Sequence, residues 1–111
     1  MSIRRLLAQA TVTDLDACEG WYATLFDGPP QARPMPGLLE WHPDVAFGVQ
    51  VWREPERAGH STVVLEVTDL DAEADRLTAA GVGHDGPQPA SAFRILVLAD
   101  PDGNRVVLTG E

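Results

Sequence analysis

A six-residue string occurs twice in this chain, and it constrains the possible fold more than any other feature of the sequence. Residues 12–17 read Val-Thr-Asp-Leu-Asp-Ala, and residues 67–72 repeat them letter for letter. The two copies lie 67 minus 12, or 55, residues apart, which is half of the 111-residue length. An identical string repeated at half the chain length indicates that one supersecondary unit is present twice.

The residue types in each copy mark the end of a strand and the beginning of a helix. Valine closes an apolar run, and the aspartate that follows can accept hydrogen bonds from the free amides at a helix start. The second aspartate lies in the first turn, where the helix dipole favours negative charge. We therefore predict helices from Asp14 to about Phe26 and from Asp69 to about Ala80.

Most of the remaining sequence is typical of strands. Alternating or continuous apolar residues predict strands at 5–13, 37–42, 45–52, 61–68, 93–99 and 104–109. Two proline-containing segments, 31–36 and 82–90, are predicted as short edge strands or loops because proline lacks a ladder donor. The chain is thus predicted to be a single α+β domain of two tandem βαβββ modules, at about 5–52 and 61–110, joined by the polar linker 53–60.

Composition excludes several kinds of partner. A formal net charge of −9 argues against a nucleic-acid backbone or an anionic membrane as the main partner. The sequence has no apolar stretch long enough for a signal peptide or a membrane span, so we expect a cytoplasmic protein. Cys18 is the single cysteine and lies on the predicted buried helix face, which favours a small hydrophobic role over that of a nucleophile.

The repeated string and a third motif, Asp-Pro-Asp-Gly-Asn-Arg-Val-Val-Leu at 100–108, resemble the vicinal oxygen chelate superfamily. This superfamily includes glyoxalase I, bleomycin resistance proteins and extradiol dioxygenases. The resemblance covers essentially the whole chain. It implies that two curved mixed sheets surround a shared cleft with the helices on the outside, and that the ligand pocket lies between the subunits of a homodimer.

The same resemblance locates the positions at which metal-dependent members hold their ion. These positions are Leu7, Thr62 and Val107, with a fourth at Gly48 or Gln50. Leucine and valine cannot ligate a metal, and a threonine hydroxyl is a poor ligand beside imidazole or carboxylate. We therefore predict no metal and no other cofactor. If these residues face the cleft, an apolar set faces the helices, as burial requires: Leu6, Val12, Val63, Leu65, Val106 and Leu108.

A replacement metal site remains an alternative. The three histidines, His42, His60 and His84, all lie beside predicted turns or loops, which favours surface positions without a metal. His60 shares strand parity with Thr62, so a site of His60, Glu66 and His42 stays open if the fold brings His42 close.

The predicted cleft lining is the remaining guide to function. It comprises Leu7, Gln9, Trp41, Gln50, Trp52, Thr62, Arg94 and Val107, although the side-chain directions of Trp41 and Arg94 are open and the tryptophans could instead pack internally or in a dimer seam. Tryptophan, amides, a hydroxyl and an arginine suit a planar or partly anionic organic ligand. We favour metal-independent sequestration of a drug or natural product, with no catalytic residue. The alternatives are a lyase, isomerase or dioxygenase-type enzyme with unconventional ligands, and a non-catalytic structural or regulatory module.

Overall fold

The computed structural model describes residues 2–111, and its elements follow one another in two similar series. The first series is β1 (Leu6–Val12), α1 (Leu15–Phe26), β2 (Ala32–Met35), β3 (Leu38–Trp41) and β4 (Phe47–Arg53). A short 3-10 helix (Pro55–Arg57) connects it to β5 (Thr62–Glu66), α2 (Leu70–Ala79), β6 (Gln88–Ala90), β7 (Phe93–Ala99) and β8 (Arg105–Gly110). No helix within residues 2–111 is long and apolar enough to cross a membrane.

Both helices begin where the repeated string predicts. The Asp14 carboxylate accepts a hydrogen bond from the Asp16 amide at 2.9 Å, and α1 starts at the next residue. The Asp69 carboxylate accepts one from the Ala72 amide at 3.0 Å, and α2 starts in the same way. Asp27 ends α1 with a left-handed backbone conformation, at a φ of 56°. The Asp14 and Asp69 side chains therefore each satisfy an amide that the helix itself leaves free.

The two sheets have the same strand order. The first runs β1-β4-β3-β2 and the second runs β5-β8-β7-β6. In both, the first strand pairs parallel with the last, and the other pairs are antiparallel. This equivalence confirms the prediction of an α+β fold built from two tandem βαβββ modules.

One face of each sheet packs against the helices, and we call it the inner face; the opposite face is the outer face. The inner faces and the helices share one apolar core, in which Trp41 lies against the rings of Tyr22 and Phe26 at 5.9 and 5.7 Å. Four residues of the predicted helix-facing set are buried and Leu65 is partly buried; the four are Val12, Val63, Val106 and Leu108.

Leu6 is the exception within that predicted set. Its exposed fraction is 73%, and its neighbour on β4, Phe47, is 51% exposed. Both residues are the first of their strands, at the end of the sheet that the helices leave uncovered. The prediction that Leu6 is buried against the helices was therefore wrong. Alternation along a strand tells which face a residue lies on, but not how far along the strand the helices cover that face.

A buried hydrogen-bond network joins the two modules. The Asn104 side chain, which is 0% exposed, donates from Nδ2 to the Thr11 carbonyl and to Asp100 Oδ2, both at 2.8 Å. Its Oδ1 accepts from the Ser61 amide at 2.8 Å. The Tyr22 hydroxyl donates to Asp100 Oδ2 at 2.7 Å, which ties α1 to the turn between β7 and β8. Every polar group of the amide thus has a partner, as buried polar groups require.

A second contact between the modules caps the C-terminal end of α1. The Arg76 guanidinium, on α2, donates to the carbonyl oxygens of Thr24 and Leu25 at 2.6 and 2.7 Å. It also donates to Glu73 Oε2 on its own helix. Carbonyls in the last turn of a helix lack intrahelical partners and carry partial negative charge, so a cation is favourable there.

Replacing Asn104 tests the network. In Asn104→Ala, the Ser61 amide and the Thr11 carbonyl lose their buried partner, so we expect the free energy of unfolding to fall by roughly 2–4 kcal/mol. Asn104→Asp should be at least as damaging, because a second carboxylate would face Asp100 and could not donate to it. Urea denaturation measures both values, with the exposed amide variant Gln88→Ala as the control. A loss below about 0.5 kcal/mol in both Asn104 variants would show that the network does not join the modules.

Candidate functional site

The positions that the resemblance assigns to metal ligands lie on the outer faces of the two sheets. Leu7 lies opposite Gly48, and a Cβ atom built on Gly48 would come within 2.6 Å of the Trp41 carbonyl oxygen, 2.9 Å of Leu7 and 3.1 Å of His42 Nδ1. No larger residue fits at that position without a shift of the backbone. Thr62 is exposed, and Val107 is 9% exposed.

The histidines do not assemble a replacement site. Among residues 2–111, no group of three or more His, Cys, Asp or Glu side chains is placed to hold a metal ion. His60 is exposed on the linker, and the His84 ring hydrogen-bonds locally to Thr78 and Gly86. The prediction of a surface position is wrong for His42, whose side chain is only 16% exposed and pairs with Glu40.

Three side chains form a hydrogen-bonded row across the outer face of the first sheet. Gln9, Gln50 and Glu40 are directly opposite one another on β1, β4 and β3, and we call them the outer-face row. Gln9 Nε2 donates to Gln50 Oε1 at 3.0 Å, and Gln50 Nε2 donates to Glu40 Oε2 at 2.6 Å. The row runs from the exposed Gln9 to the buried Glu40. Backbone register therefore places these polar groups in contact.

Apolar side chains flank the row on both sides. Leu7 precedes Gln9 by two residues on β1, and Trp52 follows Gln50 by two residues on β4, so all four share the outer face. The Trp52 indole is half-buried beside Gly37, and its Nε1 donates to Glu54 Oε1 at 3.1 Å. The first sheet thus presents amides beside an aromatic ring whose own donor is already satisfied.

The outer face of the second sheet is mainly apolar. Val107 lies between Val64 on β5 and Val97 on β7 in register, and these two valines are 62% and 40% exposed. Phe93, on the same face of β7, is 45% exposed. A sheet face with several exposed large apolar side chains is typical of a binding or association surface.

Two of the predicted lining residues, Trp41 and Arg94, point to the inner side. Trp41 is 1% exposed in the core, and its Nε1 donates to the Gly28 carbonyl at 2.9 Å. The Arg94 guanidinium donates to both carboxylate oxygens of Asp71 on α2, at 3.0 and 2.8 Å. That hydrogen-bonded guanidinium holds the pKa of the Asp71 carboxyl below its usual range. The other six predicted residues lie on the outer faces, four on the first sheet and two on the second.

A groove of about 950 Å³ lies between the two modules. It draws on the first residues of β1 and β4 in one module and on β5 and β7 in the other; its exposed apolar lining includes Leu6, Phe47, Val64 and Phe93. None of the eight residues predicted from the sequence lines this groove. Its lining includes residues from both faces of the strands. The alternation of residues along a strand, which separates the two faces, therefore could not predict this groove.

Cys18 is buried in the core at 1% exposure, and its Sγ donates to Asp102 Oδ2 at 3.4 Å. Burial, followed by the hydrogen bond to Asp102 and its negative charge, raises the pKa of the thiol from 9.0 to about 12. Because the thiolate is the nucleophilic form, this thiol is unreactive at neutral pH. Its position agrees with the predicted role of a small hydrophobic residue.

A family model described as a glyoxalase-like domain matches residues 7–109. No curated protein matches the chain. Among solved structures, the chain is similar to a glyoxalase/bleomycin resistance protein from Catenulispora acidiphila, at 28% identity and a TM-score of 0.88, over 96% of this chain and 97% of the other.

Two further structures share the fold. One is an antibiotic-binding protein from a Streptomyces species, at 23% identity and a TM-score of 0.80, over 99% of this chain and 95% of that one. The other is a lactoylglutathione lyase from Agrobacterium tumefaciens, at 15% identity and a TM-score of 0.78, over 95% and 91% of the two chains. At these identities the likeness establishes the fold alone.

The Cys18 thiol provides a pH test of the core. The folded pKa is raised, so the thiol should stabilise the fold fully below pH 9, and this stabilisation should be lost as the pH rises from 9 towards 12. Native protein should not react with a thiol reagent at pH 8 within minutes, whereas urea-unfolded protein should react at once. Equally rapid labelling of native and unfolded chains would contradict the buried position.

Proposed function

The chain belongs to the glyoxalase-like domain family, within the vicinal oxygen chelate superfamily, and from this premise we propose that it binds a small organic molecule without a metal ion. One observation carries the proposal: the outer-face row lies beside Trp52 on the first sheet. The resemblance supports it, because it assigns the metal-ligand positions to Leu7, Thr62 and Val107, which are poor ligands. The Streptomyces antibiotic-binding protein adds support, because its fold accommodates an antibiotic.

The proposed ligand is planar or aromatic. The Trp52 ring offers an apolar surface for stacking, and the amides of Gln9 and Gln50 fix the orientation of a polar group. Leu7 adds apolar contact on the other side of the row. Drug or natural-product sequestration fits such a site, because binding requires no reacting group.

We propose a homodimer as the form that completes the site. In a symmetric pair, the first sheet of one protomer faces the second sheet of its partner. Thr62 and Val107 then lie near the outer-face row, and the exposed valines of the second sheet, Val64 and Val97, become buried. Burial of this apolar face is what supports the pairing.

We propose the cytoplasm as the location. Cys18 is the single cysteine, so the chain forms no internal disulfide and its fold does not depend on an oxidising compartment.

Removing the Trp52 ring tests the proposed site. A thermal-shift screen of planar aromatic molecules on the purified protein should give hits, since a ligand that binds the native state raises its melting temperature. Trp52→Ala should weaken such a hit by about tenfold or more, because the stacking surface is lost. Trp21→Ala on α1 is the matched control and should leave the affinity within about twofold.

Chelation tests the metal-free part of the proposal. The melting temperature should be the same with and without a chelator, and elemental analysis should find less than one divalent ion per chain. One tightly held ion per chain, together with a large fall in melting temperature on chelation, would favour the enzyme alternative instead.

A charge on the second sheet tests the homodimer. Val64→Glu places a carboxylate on the proposed interface, so sedimentation equilibrium should show a dissociation constant raised at least tenfold over that of the unchanged protein. Val45→Glu is the control, because Val45 is 81% exposed in the turn before β4 and away from the proposed interface. An unchanged chain that sediments as a monomer at 100 μM, about a hundred-thousandfold above a dissociation constant of about 1 nM, would contradict the proposal.

A further inference from the structure

The outer-face row ends in a carboxylate whose two oxygens are both occupied. Glu40 is 8% exposed, and its Oε2 accepts from Gln50 Nε2 at 2.6 Å. Its Oε1 lies 2.9 Å from His42 Nε2. A carboxylate has only acceptors, so both partners must present an N–H group to it. The orientations of the Gln50 amide and the His42 ring are therefore set by Glu40.

The orientation of the Gln50 amide in turn sets that of the Gln9 amide. With its amide nitrogen turned to Glu40, Gln50 has its carbonyl oxygen turned to Gln9. Gln9 must then donate to that oxygen, which it does from Nε2 at 3.0 Å. Two groups of the Gln9 amide are left over at the exposed end of the row: the carbonyl oxygen, which has no hydrogen-bond partner among residues 2–111, and the second hydrogen on Nε2. The carbonyl oxygen is the acceptor that the row offers to a ligand.

His42 holds the carboxylate in place from the other side. Its backbone amide donates a hydrogen bond to Gln31 Oε1 at 2.8 Å, and its ring lies beside Gly48, where a Cβ atom would come within 3.1 Å of Nδ1. Each oxygen of the Glu40 carboxylate thus has its own hydrogen-bond partner, which favours the orientation that holds Gln50. A buried acceptor in low-dielectric surroundings orients its donors strongly.

We propose that Glu40 is a positioning residue that makes the outer-face row present a hydrogen-bond acceptor, and that the ligand is an aromatic molecule carrying an N–H or O–H donor. This inference rests on the proposed function. The Glu40 carboxylate hydrogen-bonds to Gln50 within the row and to His42 outside it, and it acts on the ligand through the Gln9 carbonyl oxygen.

The positioning role is tested without any ligand. Side-chain amide signals of Gln9 and Gln50 are recorded by ¹⁵N NMR in the unchanged protein and in Glu40→Gln, whose neutral amide can donate as well as accept. We expect both signals to move and their hydrogens to exchange faster with water. Glu19→Gln, an exposed carboxylate on α1 paired with Arg33, is the matched control and should move neither. Unchanged Gln9 signals in Glu40→Gln contradict the positioning role.

The ligand class is tested with two probes of the same shape, indole and benzofuran, which differ in the N–H donor. The unchanged protein should bind indole about five- to tenfold more tightly, and Glu40→Gln should lose this preference. Gln50→Met, which interrupts the row with a similar volume, should lose it too and serves if Glu40→Gln does not fold. Equal affinities in the unchanged protein contradict the ligand class. Failure of both probes and of the wider aromatic screen contradicts the proposed function, whereas the NMR result still decides the positioning role.

Discussion

The buried side chain of Asn104 determines how the two modules sit against each other. It contacts the end of β1 through the Thr11 carbonyl and the start of β5 through the Ser61 amide, while Asp100 holds it from the adjacent turn. An amide can do this because it both donates and accepts, which neither an apolar nor an acidic residue of that size can do. The apolar core that the two modules share lies next to this contact.

The groove follows from the same contact and the internal repeat. The 55-residue spacing relates Thr11 to residue 66 and Ser61 to residue 6, so the hydrogen-bonded pair Thr11–Ser61 has Glu66 and Leu6 as its counterpart. That counterpart pair lines the groove. The linker between the modules passes only the end at which Thr11 meets Ser61, and there the Gly59 amide donates to the Thr11 carbonyl. A duplicated unit joined by one linker therefore closes at one end and stays open at the other.

Sequence reasoning predicted the elements, the modules and the faces of most strands, because capping residues and alternation are local signals. It left the directions of Trp41 and Arg94 open, and both proved to lie on the inner side, in the core and in an ion pair with α2. It missed the pairing of Glu40 with His42, although a spacing of two residues on a strand places both on one face. Burial of that pair depends on neighbouring strands, which no local pattern reports.

The packing around Gly48 leaves no room for a larger side chain on this part of the outer face. A side chain there would meet the Trp41 backbone at 2.6 Å, and the space above it is taken by Leu7 and His42. His42 is in turn the partner that holds Glu40. One of the side chains packed around Gly48 thus also supports the outer-face row. In the proposed site, hydrogen bonds of fixed direction orient the ligand, and Glu40 is the residue to which we assign that direction.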